Sequence, residues 1–61
     1  METTIRFLLT RPARARGGDR YEAKLAGEDK PMVVYIPQQI SRDDNSVPYP
    51  GLEISITPLI Q

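Results

Sequence analysis

Residues 33–42 read VVYIPQQISR. Together with Met32, the run Val33–Ile36 is apolar on both alternating faces. Such a run suits a strand covered on each side, so 32–36 is expected to be the central strand of a sheet. Pro37 cannot donate to a ladder and ends it. Proline is also well tolerated at the first position of a helix. Ile36 and Ile40 are four apart, so one helical turn would bring them to one side. The acids after Arg42 offer nothing further to bury, so that turn is expected to stop there.

Working outward, residues 4–10 (TIRFLLT) place Ile5, Phe7 and Leu9 on one face and Arg6 and Thr10 on the other. That period of two is a strand signal. Pro12 ends or edges this strand, and Gly17-Gly18 marks a turn. Residues 20–26 alternate again, with Tyr21, Ala23 and Leu25 inward. Residues 27–30 form a polar turn. Residues 41–51 are dense in turn formers, stiffened by Pro48 and Pro50. Residues 52–57 give a last strand with Leu52, Ile54 and Ile56 inward. The expected fold is mainly β: one domain over 1–61, built as a small four-stranded antiparallel sheet or partly open barrel. At most one short helical turn, near 37–42, is expected. Sequential antiparallel pairing is the simplest topology.

Composition narrows the function. Cysteine and histidine are both absent. Disulfides, the usual zinc ligand sets, thiolate nucleophiles and histidine-based triads are therefore excluded. Asp43-Asp44 is an adjacent carboxylate pair in a stretch of turn formers, and it reads as a solvated turn. It lacks the alternating ligands of a calcium loop. No catalytic residue, metal site or cofactor is expected. A chain of 61 residues buries only about 60% of its unfolded surface. Small domains without staples often gain stability by pairing, so a homodimer is expected. No stretch approaches the roughly 18 apolar residues that span a membrane, and a cytoplasmic protein is the expectation.

The formal net charge is zero, but it is unevenly spread. Residues 1–20 hold five arginines against Glu2 and Asp19, a balance of +3, and the remainder carries −3. The candidate nucleic-acid-binding residues are Arg11, Arg14, Arg16 and Arg20, in or beside the first loop. They could meet phosphates, or they could keep an edge strand from pairing with strangers. Tyr35 alternates away from Val34 and Ile36. It could stack on a base, or it could lie in the core or a dimer seam.

The succession IPQQISR, a loop, and then PGLEISI resembles the AbrB family of swapped-hairpin DNA-binding transition regulators. The matching positions are Ile36, Pro37, Ile40, Arg42, Gly51, Ile54 and Ile56, within 32–57. Asp29-Lys30-Pro31 stands in place of that family's Gly-Arg turn. Ser41 takes the usual arginine position, with Arg42 one place later. The resemblance implies an intertwined dimer whose hairpin arginines contact DNA. The basic segment 11–20 would be the reader here, although it matches no family motif. The leading reading is a non-enzymatic binding or interaction domain, homodimeric, with its partner unknown. The alternative is a DNA-binding regulator of the swapped-hairpin type. RNA or single-strand binding is a further reading.

Overall fold

The computed structural model describes residues 1–44 and 46–60. Four strands form one sheet: β1 (Thr3–Arg11), β2 (Gly18–Ala23), β3 (Met32–Pro37) and β4 (Gly51–Ile56). A single short helix, α1 (Gln38–Ser41), follows β3. The strand order is β3-β2-β1-β4, antiparallel throughout. The sheet curls into a half-barrel. The expected mainly β architecture is therefore present, with one helical turn where Pro37 allowed one. No helix among the described residues is long and apolar enough to cross a membrane.

Period-two alternation sets the concave face. Phe7, Tyr21 and Ala23 are its buried centre. Ile5, Leu9, Met32, Val34, Ile36, Leu52 and Ile54 pack around them, each only partly buried. β1 and β4 pair without interruption from Thr3↔Ile56 to Leu8↔Gly51. β2 and β3 pair from Gly18↔Pro37 to Ala23↔Met32. Gly18 is needed in that second ladder. A Cβ there would lie 3.1 Å from the backbone of Tyr35 and Ile36. Gly17, at φ +106°, makes the preceding turn in a conformation that side chains disfavour.

Two expectations are corrected. The stretch 32–36 is an edge strand, not the central one: β1 and β2 occupy the middle of the sheet. The loop after α1 carries the chain across the concave face and delivers β4 beside β1. The outer edge of β3 therefore has no strand partner among the described residues, and Val33 and Tyr35 stand exposed on its outward face. The helical turn also buries a different residue. Ile40 is 60% exposed, while Ser41 is fully buried. Pro37 is the cap residue and Gln38 opens the helix, which rotates Ser41 rather than Ile40 onto the sheet.

The loop is tied down by its backbone. The Tyr49 N–H donates to Ser41 O at 2.8 Å, and the Leu9 N–H donates to Pro50 O at 2.9 Å. The buried Tyr21 hydroxyl donates to Tyr49 O at 2.7 Å. Burial raises the Tyr21 pKa above its ordinary value, and the nearby Asp19 charge adds to that. The phenol therefore stays protonated and able to donate. A 61-residue domain holds only about 3–9 kcal/mol of net stability. Phe7→Ala empties the middle of a small core and costs about 3–5 kcal/mol. A thermal melt followed by far-UV circular dichroism should show Phe7→Ala largely unfolded at room temperature.

Candidate nucleic-acid interface

The convex face carries the charge, and a bulge arranges it. Leu9 pairs with Tyr21, but the next pair along is Arg11↔Arg20, so β1 holds one extra residue, Thr10. Strict alternation would send Arg11 to the core side with Leu9. The bulge instead sets it opposite Arg20, which points outward. Bulges re-aim side chains in this way. Arg20 is in turn paired across the next ladder with Tyr35. Arg11, Arg20 and Tyr35 therefore form a row across three strands. The Thr10 hydroxyl lies 2.9 Å from Glu22 Oε2 and 3.3 Å from Arg20 O, which anchors the bulge.

Arg14 and Arg16 come from the loop between β1 and β2. They line the same open groove as Arg11, Arg20 and Tyr35, about 540 Å³ in volume. All four arginines expected from sequence are thus brought together, and among the described residues no acid lines the groove. They differ in their partners. Arg20 Nε lies 3.2 Å from Glu22 Oε2, an ion pair that partly neutralises it. That Nε is buried without an aligned hydrogen bond. Arg11, Arg14 and Arg16 are exposed. Tyr35 is 63% exposed. A second open depression, of about 510 Å³, also borders Tyr35, with Gln38 and Gln39 in its wall.

The loop bearing Arg14 and Arg16 is held by a buried polar cluster that the sequence reading did not single out. Asp19 is fully buried. Its Oδ1 accepts from the Ala13 N–H at 2.7 Å and from Arg42 Nη2 at 2.8 Å. Its Oδ2 accepts from Ser41 Oγ at 2.6 Å and from Arg42 Nε at 3.1 Å. Four donors fill the capacity of one carboxylate. Arg42 also donates to Ala13 O and Ser46 O, each at 3.0 Å. Gln38 Nε2 adds contacts to Ala15 O at 2.7 Å and Gly17 O at 3.0 Å. Arg42 is thus committed to structure rather than to the groove. The two Arg42 hydrogen bonds hold the Asp19 carboxyl well below the usual carboxylate range, although burial opposes them; Ser41 and Ala13 help. The same pairing raises the Arg42 pKa.

A signal for Asp19 was present in the sequence. The inward series Tyr21, Ala23 runs back two residues to Asp19. An acid on a core face requires a cation and several donors. No protein-family model, curated protein or solved structure matches the chain.

The cluster gives stability a pH dependence of defined sign. Folding lowers the Asp19 pKa, so the native state holds fewer protons than the unfolded chain once pH falls toward the free-aspartate value of about 3.9. The contribution of Asp19 is complete above that value and is lost progressively as pH falls from there toward the lowered native pKa. Asp19→Asn should melt lower than the wild type at pH 7. It should also show a shallower loss of melting temperature on acidification. Melts of both proteins across the acid range check this.

Proposed function

We propose that this chain is a small non-enzymatic binding domain whose groove takes the phosphodiester backbone of a nucleic acid. The observation that carries the reading is the bulge-enforced pairing of Arg11 with Arg20, with Arg14 and Arg16 over the same groove. Like charges directly opposite each other destabilise a sheet. An anion lying between them reverses that cost, and arginine is well suited to phosphate. The edge-guarding reading of these arginines loses its basis, because Arg11 and Arg20 sit on the two interior strands. The open groove fits a chain-like ligand better than an enclosed small molecule.

A second copy of the chain is the other partner we propose. The radius of gyration is 12.9 Å, against about 10.5 Å for a compact domain of this length. Seven apolar residues around the core are only partly covered, and Ile56, Leu59 and Ile60 are exposed nearby in sequence. Self-association would cover such surface. The swapped-hairpin arrangement of the AbrB-type alternative is less favoured. β3 pairs with β2 of its own chain, and all four strands find partners within the chain. The arginine groove stands without that arrangement.

Arg14→Glu combined with Arg16→Glu should abolish retention on heparin at low salt while leaving the melt unchanged, since both side chains are exposed and neither has a structural partner among the described residues. Wild-type affinity for nucleic acid should fall steeply with salt, and the double variant should flatten that slope. No retention of the wild type would overturn the reading. Light scattering at high concentration should give twice the chain mass, and a persistent single-chain mass would remove the homodimer.

A further inference from the structure

We infer that the groove prefers a single strand, with one base stacked on Tyr35 and its flanking phosphates among the arginines; this rests on the nucleic-acid reading above. Tyr35 is a large, exposed ring on an uncovered sheet face. It lies beside Arg20 in the ladder, and it walls both depressions. Those depressions differ in character. Both share Arg16, Gly18 and Tyr35, but one adds Arg11, Arg14 and Arg20. The other adds no further charged residue among the described ones, and its wall is completed by Gln38, Gln39 and backbone at Gly17.

That asymmetry matches the two halves of a nucleotide. Phosphates belong on the arginine side. A base belongs against the ring, with its edge toward the neutral side, where amides and peptide groups can hydrogen-bond to it. Gln38 spends its amide N–H groups on Ala15 O and Gly17 O, while the Gln39 side chain is exposed and makes no bond to another described residue. A duplex keeps its bases stacked inside and presents only phosphates to such a face. It would leave the ring unused. A single strand can turn a base outward onto it. Every base has a π-face, so the contact tolerates many sequences. Tyr35 sits on an edge strand at the rim of the sheet, so a flexible strand can pass around the ring without meeting a further strand.

The experiment uses fluorescence anisotropy with a short labelled oligothymidylate, the same strand annealed to oligoadenylate, and a labelled oligouridylate. The wild type should bind both single strands more tightly than the duplex. Tyr35→Ala should weaken single-strand binding by about 5- to 150-fold, the range measured for loss of one base–aromatic stack. It should leave duplex binding, the salt slope and the melting temperature near wild type. Tyr35→Phe should bind like wild type, because the ring and not the hydroxyl makes the stack. Equal wild-type affinity for single strand and duplex overturns the inference and leaves phosphate binding intact. So does a Tyr35→Ala variant that binds the single strand like wild type. Absence of wild-type binding to all three probes and to heparin overturns both readings.

Discussion

The ion pair between Asp19 and Arg42 is the constraint on which the rest depends. Asp19 starts β2, and Arg42 follows the single helical turn after β3. Their contact closes the chain across 23 residues. It reaches further through the partners each recruits. Ala13 fixes the arginine-bearing loop, Ser41 fixes the helical turn, and Ser46 fixes the crossing loop. A carboxylate removed from water is costly unless every lone pair is answered. Here the four donors come from two separate segments, Ala13 in the loop before β2 and Ser41 with Arg42 at the end of the helical turn. That requirement links the segments and gives one geometry to loops that composition alone would leave free. Without it the crossing loop would lose its seat over Tyr21, and β4 would lose its delivery to β1.

The same cluster shapes the face turned to solvent. It holds the loop between β1 and β2 from beneath, while the Thr10 bulge turns Arg11 outward at the loop's entrance. The arginines above are left with few structural duties. Rigid support below and uncommitted charge above are what a binding surface requires, since preorganised side chains lose less freedom when a ligand arrives. The exposed Arg6–Glu53 pair on β1 and β4 is different in kind. It lies in solvent on both sides, and pairs of that sort contribute little.

Thinness is the second physical theme. The Cα trace spans 36 × 30 × 16 Å, the shape of one curled layer with a loop laid over part of it. Three apolar residues are buried, and their neighbours remain partly open. Such a domain draws much of its order from polar ties and ladder bonds, which explains why a fully satisfied carboxylate is retained at its centre. The open concave face and the charged convex face are separate surfaces of the same sheet. The proposed self-association and the proposed nucleic-acid contact can therefore coexist.

By itself, the sequence determined the strands, their faces and the residues of the basic cluster. Alternation is a local property, so Ile5, Phe7, Leu9, Tyr21 and Ala23 could be read as inward-facing from spacing alone. Pro37 could be read as the end of β3 for the same reason. Strand order was not legible. An apolar run such as VVYI looks alike at the centre of a sheet and at an edge whose outer face carries Tyr35. Only the crossing of the loop 42–50 decides that β4 joins β1 and leaves β3 outside. The grouping of the four arginines was half legible: their proximity in sequence was plain, but their facing was not. A bulge is a mismatch between two strands, and neither strand records it alone. The partnership of Asp19, Ser41 and Arg42 was least visible, because it joins residues more than 20 positions apart. The tertiary structure alone brings them together, since burying the acid is stable only where the fold supplies all of its donors at once.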